Sequence, residues 1–154
     1  MTDPSNLEAR GLLADTLFSI QSFEEAATHY KTYLQFQPND SDVLTRLGVS
    51  LVATGKSADA LVAFRRAVDV NPQNGEAHQN LGNALLYHGD IDEAAGQAEQ
   101  AASLRPADPA IRDLLVRALA MQGKFDAAAV EFRRSLQIDP TYAEAREHLK
   151  RIGR

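Results

Sequence analysis

The chain has 154 residues with 16 Lys and Arg against 21 Asp and Glu, a formal charge of −5. That balance argues against a phosphate-backbone partner, because nucleic-acid affinity rests on dense cationic side chains. The 44% hydrophobic and 24% charged residues suit a folded, soluble chain, and the absence of cysteine removes disulfides, thiol nucleophiles and thiolate zinc sites. The longest apolar stretches are broken by Arg or Gly well short of the roughly 20 residues a membrane span needs, so no membrane insertion is expected.

In chain order, Met1 to Asn6 shows no charged and then hydrophobic leader. The compartment therefore stays open: the cytoplasm is slightly favoured, beside a periplasmic or membrane-associated parent protein. A period of 34 residues begins at Leu7, with frames opening at Leu7, Ser41, Gly75 and Pro109. Leu13, Leu47, Leu81 and Leu115 share one column, and Leu17, Leu51, Leu85 and Leu119 another. Ala26, Ala60, Ala94 and Ala128 form a third, and Pro38, Pro72, Pro106 and Pro140 a fourth. Two columns are looser: Gly48 and Gly82 become Ala14 and Val116, and the aromatic column of Tyr30, Phe64 and Phe132 becomes Ala98 in the third frame.

Asp3-Pro4 stands in the register of Asp139-Pro140, so residues 1–6 read either as the tail of an upstream repeat in a longer protein, which is preferred, or as a vestigial turn. In the first case Leu12 and Ile20 are expected on an exposed apolar side, with weak self-association through that end. The repeats follow at 7–40, 41–74, 75–108 and 109–140. In each, two helices of about a dozen residues are expected, marginal alone and held by stacking. Leu44, Leu47, Gly48 and Leu51 fall on one stripe of the first helix in the second frame, where small Gly48 and Ala60 allow the paired helices to approach closely.

Gly55, Gly89 and Gly123 stand where the chain turns back, and Gln21 takes that place in the first frame. Ser22 with Glu25, and Asp90 with Glu93, have capping-box spacing. Asp108 before Pro109 reads as an N-cap followed by the first helical residue. From Thr141 to Arg154, Tyr142, Ala145, Leu149 and Ile152 give one apolar side, opposed by Glu144, Glu147, Lys150 and Arg151, which suits a capping helix.

These columns resemble the tetratricopeptide repeat family, whose unit carries Leu-Gly, Ala, an aromatic residue and a closing Pro. The second frame is the clearest match, through Leu44, Leu47-Gly48, Leu51, Ala60, Phe64, Ala67 and Pro72. RNA-reading pentatricopeptide arrays have a similar unit, but their period is about 35, and these columns fit the 34-residue family better. The resemblance implies an all-α fold, a right-handed superhelical solenoid of four helix-turn-helix repeats plus a C-terminal capping helix.

It also implies a concave groove lined by positions 2, 5, 9, 12 and 13 of each first helix. Carried over by position, the candidate peptide-binding residues are Asp15, Thr45, Val49, Gln79, Asn83, Tyr87, Asp113, Arg117 and Met121. Phe18, Val52, Leu86 and Ala120 share that stripe but are expected to pack against the next repeat. Members that clamp acidic chaperone tails use Lys and Asn where Gly11 and Asp15 stand, so that specialisation is disfavoured. The asparagine ladder of certain sugar transferases is interrupted, since its column reads Leu12, Arg46, Asn80 and Leu114.

No catalytic, metal or cofactor site is expected. His29, His78, His88 and His148 are scattered over different frames, without HExxH, GxSxG or phosphate-loop spacing. His78 occupies a packing column and reads as a structural histidine. Glu24-Glu25 and Asp92-Glu93 read as helix-start carboxylates favoured by the dipole. The expected function is a scaffold or adaptor that holds a protein or extended peptide without chemistry of its own. Two alternatives are a regulatory or substrate-presenting module of a larger, enzymatic protein, and a self-associating structural unit.

Overall fold

The structure, a computed structural model, describes residues 4–138 and 140, which contain eight helices and no strand. They are α1 Pro4–Ser19, α2 Phe23–Leu34, α3 Ser41–Ala53, α4 Ser57–Val70, α5 Gly75–His88, α6 Ile91–Leu104, α7 Pro109–Met121 and α8 Phe125–Ile138. The chain divides into two compact units, 1–80 and 81–154, with the boundary inside α5. α1 opens at Pro4, three residues ahead of the frame start at Leu7, where proline's fixed φ suits the first turn of a helix. The expected capping helix at 141–154 lies outside the described residues.

The turn closing the first helix of each hairpin is the same in all four. In the first unit, Gln21 and Gly55 take φ of 63° and 76°, and in the second Gly89 and Gly123 take 87° and 77°. Around Gly55, its own N–H donates to the Val52 carbonyl at 3.0 Å and the Lys56 N–H to the Leu51 carbonyl at 2.8 Å. This pair of bonds is the Schellman motif, which satisfies carbonyls the ending helix leaves unpaired. It recurs as Gln21 to Phe18 and Ser22 to Leu17, as Gly89 to Leu86 and Asp90 to Leu85, and as Gly123 to Ala120 and Lys124 to Leu119. Gln21 thus makes the glycine turn despite its Cβ, in a region that costs an ordinary residue roughly 1–2 kcal/mol.

The expected capping boxes do not form. Ser22 and Asp90 are N-cap residues, but neither side chain accepts a cap hydrogen bond. Each directly follows a left-handed residue and is left with ψ near 60° (61° and 63°), short of the extended conformation that aims a cap side chain at the first turn. Where the chain arrives by a longer loop the cap is made. Asp40, at ψ 100°, accepts from the Val43 N–H, and Asp108, at ψ 113°, accepts from the Ala110 N–H with Pro109 next in line.

In the first unit the core runs through Ala26 and Tyr30 of α2, Leu44, Leu47 and Leu51 of α3, and Ala60 and Phe64 of α4. A Cβ at Gly48 would lie 2.3 Å from Phe64 Cε1, so the missing side chain is what seats the ring. Leu13 belongs to the same column as Leu47 but is 45% exposed against 7%. α3 packs on both α2 and α4, whereas α1 has its packing with α2. In the second unit Ala98, Leu114, Leu115, Val116, Leu119, Ala128 and Phe132 form one cluster. A Cβ at Gly82 would come within 2.9 Å of Leu114 Cδ2. Ala98, small where the other frames are aromatic, is fully buried.

The carbonyls of Pro38, Pro72 and Pro106 are each bonded from a following helix. Arg66 Nη2 donates to the Pro38 carbonyl at 2.7 Å, and His78 Nε2 lies 3.0 Å from that of Pro72. In the second unit Arg112 donates to Pro106 through Nε at 3.2 Å and Nη2 at 2.9 Å, while its Nη1 pairs with Glu131 at 2.7 Å. His78 is buried, in keeping with a structural role.

Three substitutions test this account. Phe64→Ala should cost about 3–5 kcal/mol, read from urea unfolding, because it empties a fully enclosed ring site. Lys56→Ala should cost less than about 1 kcal/mol, since its ion pair with Glu24 is exposed to water. Gln21→Gly should raise stability by about 0.5–1 kcal/mol through relief of the left-handed conformation. An equal or lower urea midpoint would show that the turn at Gln21 carries no strain.

Candidate functional site

In the first unit the stripe begins with a polar network between α1 and α3. The Asp15 carboxylate accepts from the Tyr30 hydroxyl at 2.7 Å and from Arg46 Nη1 at 3.1 Å to Oδ1 and 3.3 Å to Oδ2. Tyr30 is fully buried. Burial first, then its bond to Asp15 and the charge of that carboxylate, push the phenol's pKa well above its ordinary value, with Arg46 opposing. The phenol therefore stays protonated as a donor that orients Asp15. Arg46 remains partly exposed, its side chain 42% accessible, and among the described residues its Nε and Nη2 make no hydrogen bond.

The other stripe residues of this unit differ in depth. Thr45 is buried, with its hydroxyl donating to the Ser41 carbonyl at 2.8 Å. Val49 and Gln79 are half-buried. Phe18 packs within its own hairpin, its ring edge-on to Phe23 at 5.5 Å and to Tyr30 at 6.4 Å. Val52, expected to pack against the next repeat, is instead 52% exposed. The helical period gave its direction around α3 but not its distance from a neighbour.

In the second unit α5 and α7 meet through Asn83 and Arg117, one period apart. Arg117 Nη2 donates to Asn83 Oδ1 at 2.5 Å. Arg117 Nε lies 3.2 Å from Asp113 Oδ2, one helical turn away, as a charge–charge contact without hydrogen-bond geometry. Asp113 is buried, so Arg117 already faces a carboxylate of its own helix. Leu86 and Ala120 are half-buried against the core cluster. Tyr87 and Met121, both at frame position 13, stand out at 80% and 52% exposed, with the Tyr87 ring edge-on to His88 at 5.6 Å.

Arg46 was missed as a candidate because its column was read only as a broken asparagine ladder. The available signal was the opposite charge of Asp15, three positions further along the preceding frame. Of the helix-start carboxylates, Glu24 holds Lys56 at 2.5 Å, and Asp92 accepts from Gln122 at 2.7 Å. Among the described residues no group of three His, Asp or Glu is placed to hold a metal ion, and no helix is long and apolar enough to cross a membrane.

Three models described as tetratricopeptide repeat match residues 42–74, 63–95 and 80–143. No curated protein sequence matches the chain. Among solved structures, MamA from Desulfovibrio magneticus RS-1 superposes with a TM-score of 0.87 at 20% identity, over 95% of this chain and 82% of that one. YrrB, described as a TPR protein with an unusual peptide-binding site, gives 0.84 at 22% identity over 96% and 76%. The first TPR of Spaghetti (RPAP3), bound to the HSP90 peptide SRMEEVD, gives 0.69 at 21% identity over 73% and 92%. At these identities the likeness is one of fold. Together with the 34-residue columns, the eight helices and the family matches running from 42 to 143, it places the chain in a family: it belongs to the tetratricopeptide repeat proteins.

Proposed function

We propose that the chain is a protein-interaction module that binds an extended peptide or protein segment on the first-helix stripe within a unit, with no chemistry of its own. The observation that carries this reading is the exposure of Tyr87 and Met121 in the second unit, on helices whose packing positions are otherwise buried. Large apolar side chains kept in water beside fixed polar groups are the usual makings of a binding hot spot. Val52 plays the corresponding part in the first unit. The peptide-bound RPAP3 domain and the peptide-binding YrrB support the reading by analogy of fold. The net charge of −5 speaks for a protein partner over a nucleic acid. Gly11 and Asp15 speak against an acidic chaperone tail.

A second reading, self-association through α1, is favoured by the exposure of Leu12, Leu13 and Ile20 in the first unit. Sedimentation at several concentrations separates it from the first. A concentration-dependent mass abolished by Leu12→Lys with Ile20→Lys would establish it, and a constant monomer mass would dismiss it.

The peptide reading is tested with a partner recovered by cross-linking in cell extract. Tyr87→Ala and Met121→Ala should each weaken its binding by about 1–3 kcal/mol in calorimetric titration. Asn83→Ala should weaken it by a similar amount, roughly 1–3 kcal/mol, through loss of the Arg117 support. Helicity should be unchanged in the exposed-site variants. Undiminished affinity in all three would move the functional surface away from this stripe.

A further inference from the structure

We propose that Arg46 anchors the backbone of a bound extended segment through its carbonyl oxygens, and that Asp15 is the residue that makes this anchor reject carboxylates. The proposal rests on the reading of the first-helix stripe as a peptide surface and names what that surface selects in the first unit. A guanidinium carries five N–H donors in a planar fork. In Arg46, Nη1 is committed to both oxygens of Asp15, which is itself held by the hydroxyl of the fully buried Tyr30. Its orientation is therefore fixed before any ligand arrives, which removes most of the ordering cost a free arginine would incur on binding. Nε and Nη2 make no hydrogen bond among the described residues, and the side chain is open to solvent.

Charge decides which acceptor this edge takes. With Asp15 in contact, the pair is close to neutral, and a ligand carboxylate at Nε or Nη2 would add a second anion near the first. Asp42, one turn earlier on α3, is exposed and adds to the opposition, although the Asn74 side chain donates to it at 3.0 Å. A peptide carbonyl accepts the same two donors and adds no net charge. An extended segment turns alternate carbonyls to one side, with its side chains projecting out of that plane. Val49 and Val52, further along α3, offer apolar surface for such side chains. The occupant is thus an extended segment bearing apolar side chains and no carboxylate at Arg46.

The experiment uses two acetyl- and amide-capped octapeptides, one alternating Leu with Ser and the other Leu with Glu, titrated into the isotopically labelled chain. The Arg46 Nε–H resonance and the backbone amides of Val49 and Val52 are followed by NMR. The Leu-Ser peptide should shift all three on one isotherm, and the Leu-Glu peptide should bind at least about fivefold more weakly. The affinity of the Leu-Ser peptide should change less than about twofold between roughly 50 and 300 mM salt, because a neutral acceptor is involved. Asp15→Asn, which keeps an oxygen for the Tyr30 hydroxyl, should erase or reverse the preference against Leu-Glu. Arg46→Lys keeps the positive charge and loses the fork, and should weaken Leu-Ser binding by about fivefold with the thermal transition intact.

If Val49 and Val52 respond while the Arg46 Nε–H does not, the anchor is refuted and the peptide surface stands. Tighter binding of Leu-Glu to the natural sequence, or a preference unaltered by Asp15→Asn, refutes the selectivity. If neither peptide moves any of the three signals, both the anchor and the peptide reading of this stripe fall.

Discussion

The contact on which the first unit depends is the seat of the Phe64 ring on the backbone of α3 at Gly48. A ring cannot approach a helix that closely where a Cβ intervenes, and the 2.3 Å that a Cβ at Gly48 would leave shows how little room there is. That approach sets the separation of α3 and α4, and with it the burial of Leu44, Leu47 and Leu51. The second unit reaches the same end with different residues, since Gly82 admits Leu114 and Ala98 is fully buried where the other frames carry an aromatic. Hydrophobic burial provides the driving force, and small residues decide where it can act.

Much of the fold was legible because it repeats. A glycine at 55, 89 and 123 names a left-handed turn by itself, and the leucine and alanine columns name the buried sides of the helices. Gln21 shows the limit of that reading. Its side chain disfavours the conformation, yet the flanking hydrogen bonds impose it. Ser22 and Asp90 show another limit, since the capping-box spacing is present while the short turn leaves the wrong ψ to use it.

The candidate site was legible in direction but not in depth. Helical phase placed Thr45, Asp113 and Arg117 on the expected stripe, but it carries no information on how far each lies beneath its neighbours. Thr45 and Asp113 are buried, and Arg117 is engaged within its own unit. The Asp15, Tyr30 and Arg46 network joins three separate helices, so no local pattern announces it. The polar groups of the stripe are largely satisfied internally, so few of them stand as free charges waiting to be neutralised.

The carbonyls of the closing prolines illustrate how such a unit can change its residues and keep its geometry. A carbonyl oxygen asks only for a donor at the right distance, and Arg66, His78 and Arg112 meet that requirement for Pro38, Pro72 and Pro106. Because the requirement is chemical and not residue-specific, drift among donors is nearly neutral. Sequences built this way can diverge until few positions agree while the helices stay where they were. The 20% identity at which this chain and MamA share a fold is compatible with such permissive bonding.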